Sequence, residues 1–220
     1  MKPTRIIAVY SAGGFGREAA WLVNDIAKED QSVQVVCFIE DDPQKIGTVI
    51  NDIPVLTLEQ AIKHYPDIEV AVAIGSPNIR EKVVKKVTGA GLPFATLIHP
   101  RVEMSGFIEI GEGTIITSGN ILTVNITLGQ QVHINLDCTI GHDAILEDYV
   151  TLAPGVHVSG WVHIEKNAYI GTGAVIINGT SERPLRIGAN AVIGAGAVVT
   201  KNIPPGVTAV GLPARPLKEN

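Results

Sequence analysis

The sequence predicts a molecule in two parts, a small parallel α/β domain followed by a parallel β-helix of hexapeptide repeats. The first observation is a period of six. Aliphatic side chains occupy Ile98, Met104, Ile110, Ile116, Leu122, Leu128, Ile134, Ile140, Leu146, Leu152, Val158, Ile164, Ile170 and Ile176 without a break, and the spacing resumes at Ile187, Ile193 and Val199. Neither a helix nor a simple alternating strand repeats at six, whereas a coil of very short strands does. The second observation is that strand-like and helix-like runs alternate before residue 98, which is the pattern of a parallel sheet with covering helices. A β-sandwich is the competing reading of the long repeat, but its turns fall at longer and less uniform intervals.

In the first part, residues 5–10 (RIIAVY) read as a buried strand that runs into Ser11-Ala12-Gly13-Gly14-Phe15-Gly16. A helix follows, with Phe15, Ala19, Leu22, Val23 and Ile26 on one face. Residues 33–39 form a second strand ending at Glu40-Asp41-Asp42-Pro43, and a short helix is expected near 57–64. A strand at 69–74 ending at Gly75, a helix near 78–90 and a last strand near 93–98 complete this half. The boundary falls at His99-Pro100, where proline restricts the chain, giving domains of 1–98 and 99–220.

In the second part a smaller residue stands two places before most of the large aliphatics, as at Val132, Cys138, Ala144, Val150, Val156, Val162, Ala168 and Ala174. Period two within a strand points both columns into the coil. Glycine follows the aliphatic at Gly111, Gly129, Gly141, Gly171, Gly188 and Gly194, where a corner is expected to need an unusual backbone angle. His133, His157 and His163 precede inward aliphatics, so alternation turns them outward as surface imidazoles. Residues 177–186 add five residues to the coil, either as a loop lining a groove or as a neutral insertion.

The formal charge of -5 speaks against a nucleic-acid binder, which would carry a basic face. Acidic residues dominate up to residue 164 and basic ones after it, so the C-terminal part could meet an anion, although surface solvation explains the imbalance equally well. Cys37 and Cys138 have neither a metal nor a redox spacing, which reads most simply as a reduced cytoplasmic protein. No apolar run reaches the ~18 residues of a membrane span, and the N-terminus runs into a strand rather than a signal peptide.

Two places carry chemistry. The glycine-rich turn lets backbone approach a phosphate at a helix N-terminus, with Asp41 and Asp42 near the position where an acid meets ribose hydroxyls. Such turns also serve packing, and about a hundred residues are too few for the usual two-half dinucleotide fold. The other place is Gly141-His142-Asp143, at a corner of the coil. A histidine beside a carboxylate is the minimal general-base arrangement, provided the corner brings Asp143 round to the imidazole. A zinc site from His142, His157 and His163 would need ligands from different sides of the coil to converge across subunits, so no metal is expected.

The hexads, Gly141-His142-Asp143 and the closing Ile203-Pro204-Pro205-Gly206 … Val210-Gly211-Leu212-Pro213-Ala214-Arg215 resemble bacterial hexapeptide acyltransferases. With the Ser-Ala-Gly-Gly-Phe-Gly-Arg-Glu turn and Asp41-Asp42-Pro43, the whole chain is similar to the sugar O/N-acetyltransferases, the group that includes sialic acid O-acetyltransferases and nucleotide-linked 4-amino-sugar N-acetyltransferases. The resemblance implies a Rossmann-like nucleotide-sugar-binding domain before a left-handed β-helix, a homotrimer, and acetyl-CoA as co-substrate in the groove between neighbouring coils. It implies His142 as general base with Asp143 beside it, and Asn135 as a polar residue near the site. It further implies acetyl-CoA contacts at Thr151, Gly160, Thr172 and Ala195, a nucleotide loop of Gly13, Gly14 and Phe15, and Asp41, Asp42 and Gly75 around the nucleoside. Ser11 replaces a glycine common in relatives, and Phe15 and Thr151 stand where some relatives have histidine.

The implied reaction is N-acetylation of a UDP- or dTDP-linked 4-amino-4,6-dideoxy sugar in bacterial surface glycan synthesis. The amine would attack acetyl-CoA directly and no acetyl-enzyme would form. O-acetylation of sialic acid or a related sugar is the alternative, with a zinc-dependent carbonic anhydrase or a non-enzymatic scaffold behind it.

Overall fold

The computed structural model describes residues 5–217. The N-terminal part contains β1 (Arg5–Tyr10), α1 (Gly14–Glu29), β2 (Val33–Ile39), β3 (Val49–Ile50), β4 (Ile53–Leu56), α2 (Leu58–His64), β5 (Glu69–Val72) and α3 (Pro77–Gly89). The sheet order is β3-β4-β2-β1-β5, parallel except for the β3–β4 hairpin. Alternation along β1 divides its side chains between two cores. Ile7 and Val9 pack with α1, while Ala8 and Tyr10 pack with α2 and α3, so both faces are covered. Helix α2 begins with a reciprocal capping box between Thr57 and Gln60, and α3 begins with Pro77 in its first turn.

The strand expected at 93–98 divides in two. Phe94 forms a parallel bridge to Val70 at the edge of the N-terminal sheet, whereas Leu97–Ile98 pair with Ile115–Ile116. The coil therefore starts at Leu97. The aliphatic content of 93–98 suits either sheet, and only the register toward residue 115 separates them.

From there the chain winds as a left-handed parallel β-helix with three faces. One full coil takes 18 residues, so the Cys138 amide donates to the Asn120 side-chain oxygen one coil below. The first face carries His133–Ile134 and Thr151–Leu152, the second Thr139–Ile140 and His157–Val158, and the third Ile145–Leu146 and Val162–Ile164. From Ile116 onward the sixfold aliphatics and the small residues two places earlier fill the interior together, whereas Ile98 and Ile110 are partly buried and Met104, in the first coil, is exposed. Both columns are needed, because a large side chain at each would overfill a three-sided core.

The glycines after the aliphatics serve close approach rather than an unusual angle. A Cβ on Gly141 would stand 2.6 Å from the backbone of Gly160, and one on Gly171 2.7 Å from Ala195. Positive φ falls two residues further on, at Gly113, Asn125, Gln131, Asp137, Asp143, Tyr149, Trp161, Asn167 and their counterparts. Asn, Asp and Gly there match the left-handed corner conformation.

The insertion stretches one coil, so that His163 lies opposite Arg186, 23 residues on. Its extra residues leave the corner above Trp161, where the Gly179 amide donates to the Gly160 carbonyl and Leu185 to the Trp161 carbonyl. The C-terminal segment closes the coil. Ile203 bridges Ile187, Thr208–Val210 adds to Val192–Ile193, and Arg215–Pro216 returns antiparallel on that strand.

His133 corrects the surface expectation for the histidines. It leaves the coil outward as alternation demands, but α3 and α1 cover it and it is 0% exposed. His157 is exposed beside Thr139, and His163 is tied to Glu147 and Arg186. Among the described residues, no helix is long and apolar enough to cross a membrane.

Candidate active site

His142 stands at the corner where the second and third faces meet, with 54% of its side chain exposed. The left-handed φ of +57° at Asp143 turns its carboxylate back toward the imidazole, and Oδ2 lies 2.7 Å from Nδ1. The coil below contributes Asn125, whose side-chain amide donates to the other carboxylate oxygen at 3.3 Å. A carboxylate on Nδ1 selects the tautomer with the proton on that nitrogen, which leaves Nε2 as the basic atom. Gly160 lies one coil above. A Cβ there would sit 2.6 Å from both Cε1 and Nε2 of His142, so the ring rests where a side chain is missing. The indole of Trp161 approaches edge to face at 6.1 Å between centroids.

A second constellation lies at the C-terminal ends of β1, β2 and β5, the edge where open α/β sheets bind ligands. Gly13 caps α1 without a side-chain hydrogen bond, which leaves the first amides of the helix, at Gly14 and Phe15, to a ligand. The turn is tight because a Cβ on Gly16 would lie 1.9 Å from the Ser11 carbonyl oxygen. Ser11 has a φ of +95°, a conformation that glycine adopts without strain. Glu40 holds the turn by accepting from the Ala12 amide at 2.8 Å.

Asp41 pairs with Lys86 and accepts from the Tyr10 hydroxyl at 2.8 Å, while Lys86 also donates to Tyr10 at 2.9 Å. Burial alone would raise the Asp41 carboxyl, but Lys86 and Tyr10 outweigh it and hold it below the usual range. Asp42 is engaged locally, accepting from the Gln44 amide at 3.0 Å. The Gly75 carbonyl accepts from the Thr151 hydroxyl at 3.1 Å.

Thr151 does not line an open groove. It is 1% exposed, its hydroxyl also accepting from Arg80 at 3.0 Å, because the N-terminal part covers that face. The other expected acetyl-CoA residues separate. Gly160 adjoins His142, whereas Thr172 and Ala195 stack at the corner between the first and second faces. Asn135 belongs to that same corner, its amide donating to the Leu152 carbonyl at 2.8 Å. Phe15 packs on His133 with ring centroids 5.0 Å apart.

Sequence reasoning missed Tyr10, Glu40, Arg80, Lys86 and Trp161. Tyr10 ends β1 and Glu40 follows β2, positions that by themselves mark the ligand edge of such a sheet. Arg80 and Lys86 carry no local signal on an otherwise ordinary helix. Among the described residues, no group of three or more histidine, cysteine or acidic side chains is placed to hold a metal.

A coiled β-helix with an exposed His–Asp corner, joined to a small parallel α/β domain, is the architecture of an acyl-transfer scaffold. Residues 6–87 match the PglD N-terminal domain family. Over 217 residues the chain is 38% identical to GDP-perosamine N-acetyltransferase of Escherichia coli O157:H7, covering 98% of this chain and 97% of that one. It superposes on WeeI from Acinetobacter baumannii AYE with a TM-score of 0.90 at 40% identity, covering 97% and 100% of the two chains. It also superposes on the acetyltransferase domain of PglB from Neisseria gonorrhoeae FA1090 in complex with acetyl coenzyme A, with a TM-score of 0.84 at 29% identity and coverage of 97% and 99%. The chain belongs to the bacterial hexapeptide-repeat sugar acetyltransferases, enzymes that use acetyl-CoA as co-substrate.

Proposed function

We propose that this enzyme N-acetylates a nucleotide diphosphate-linked 4-amino-4,6-dideoxy sugar, with His142 as general base. The observation that carries the reading is the exposed imidazole whose Nδ1 is held by Asp143, leaving Nε2 toward substrate. The neutral amine attacks the thioester carbonyl. The C–N bond forms, Nε2 takes the amine proton, the C–S bond breaks, and the proton passes to the departing thiolate of CoA. The Gly160 amide, beside the ring, is assigned to the developing oxyanion.

The carrier nucleotide is held at the N-terminus of α1, with Gly13, Gly14 and Phe15 at its phosphates and Asp41 and Gly75 flanking the nucleoside. The name of the whole-chain relative adds GDP to the UDP and dTDP carriers expected from the sequence.

The site is shared between protomers of a homotrimer. The N-terminal part leans on the first face through Arg80, Phe15 and the Glu81–Lys166 pair, whereas His142 occupies the opposite corner. A neighbour's nucleotide turn therefore meets this imidazole.

The test couples turnover to assembly. His142→Ala is expected to lose at least about 10²-fold in kcat while still binding acetyl-CoA, measured as thiol release with GDP-, UDP- and dTDP-linked amino sugars. Gly14→Asp places a carboxylate at the anion end of α1, where a Cβ meets no atom within 4 Å. Co-refolding these two inactive variants is expected to restore part of the activity. Near-normal turnover in His142→Ala removes the base assignment, and failure of mixed trimers to recover activity removes the shared site.

A further inference from the structure

We propose that Trp161 is a positioning residue that holds the His142 imidazole in its working orientation. The inference rests on the reading of His142 as the base. It starts from a residue out of place in its corner column. Asn125, Asp143 and Trp161 stack there with φ of +56°, +57° and +57°. Asparagine and aspartate tolerate that conformation, and glycine adopts it freely, but a bulky aromatic is disfavoured because its Cβ crowds the following carbonyl. Tyr149 is the other large aromatic with such a φ, and it has structural employment. Its carbonyl accepts from Arg80 at 2.6 Å, and its ring lies under the Lys166 ammonium. The Trp161 side chain projects from the coil rather than into its core, beside His142.

The strained backbone at Trp161 has no room to relax. Its amide donates to the His142 carbonyl at 3.0 Å, and its carbonyl accepts from Leu185 at 3.0 Å. A Cβ on Gly179 would come within 2.4 Å of that carbonyl oxygen. Strain kept under such constraint collects where a side chain has work to do. The neighbouring contacts say what the work is. Asp143 fixes one edge of the imidazole by its hydrogen bond, and Gly160 supplies the bare surface under the ring. Neither prevents the half-exposed ring from swinging about its side-chain torsions. The indole stands edge to face beside the ring, nearly perpendicular at 84°. It thereby keeps Nε2 aimed at one point, and displacement of a catalytic group by about 1 Å is enough to cost on the order of 10²-fold in rate.

The experiment compares stability with turnover. Trp161→Gly and Trp161→Asn relieve the backbone, so their Tm is expected to equal or exceed that of the parent. Their kcat is expected to fall about tenfold or more, with KM for both substrates within about threefold, and Trp161→Phe is expected to recover most of the rate. A parent-like kcat in Trp161→Gly overturns the inference. So does a rise in KM for the sugar at unchanged kcat, which would make the indole a binding platform. So does a loss of rate that tracks a loss of Tm without rescue by phenylalanine, which would make it structural. His142→Ala, assayed in parallel, separates the two readings: an active His142→Ala defeats both, whereas an inactive one with an unimpaired Trp161→Gly defeats this inference alone.

Discussion

At Gly160, what matters is the hydrogen atom that stands in for a side chain. The imidazole of His142 occupies the volume where a Cβ would be, 2.6 Å from its nearest atoms. Gly160→Ala is expected to displace the ring from Asp143 and lower kcat by about 10²-fold, with a Tm close to the parent because the exposed ring has solvent to move into. A kcat within about threefold of the parent, in single-turnover assays that isolate the chemical step, would show that the ring can work from elsewhere. His142 was legible from the sequence because it interrupts a repeat: it follows Ile140 at a corner and is followed by a carboxylate. Its support was less legible. Asn125 and Gly160 lie on neighbouring coils, and a side chain's neighbour one coil away is 18 residues distant in sequence.

Helix α3, together with α1, joins the two halves, and Arg80 is the most deeply buried of the side chains by which it does so. The guanidinium is 0% exposed and donates to the carbonyls of Ile74 and Tyr149, both at 2.6 Å, and to the Thr151 hydroxyl. Burial lowers it to about 9, so it keeps its charge at neutral pH. Its partner His133 is enclosed by Arg80 from α3 and Phe15 from α1. Burial, and then the Arg80 charge, push the imidazole well below its ordinary range, so it is neutral when folded. The unfolded chain takes up a proton near pH 6.5 that the folded one refuses. Stability contributed by this group is therefore present above that pH and declines below it, at up to roughly 1.4 kcal/mol per pH unit. Urea unfolding between pH 7 and pH 5 is expected to show this slope in the parent and not in His133→Gln. Equal slopes would mean that His133 protonates in place. The outward register of His133 was correctly legible from the period of two, but outward is a direction and burial depends on what arrives from elsewhere. The cover comes from Arg80, 53 positions away, and from Phe15, farther still, and no local pattern in the coil announces it.

At the scale of the whole molecule, the period of six made the coil readable from its first appearance, because three short strands per coil demand an inward residue on every side. The junction was less readable, since Leu97–Ile98 would satisfy either sheet. A stack of parallel strands has no natural last member: each new layer offers the same open amides and carbonyls as the one beneath. Here the final residues answer all three sides at once. Ile203 meets Ile187, Ala214 donates to the Val198 carbonyl, and Arg215–Pro216 runs against the direction of every other strand in the stack. A tail so placed is expected to stop the stack from growing end on end. Removing residues 212–220 is expected to uncork the prism and let particles join end on end, seen as concentration-dependent growth in light scattering. If the shortened enzyme keeps the parent's mass at every concentration, the tail is ornament rather than guard.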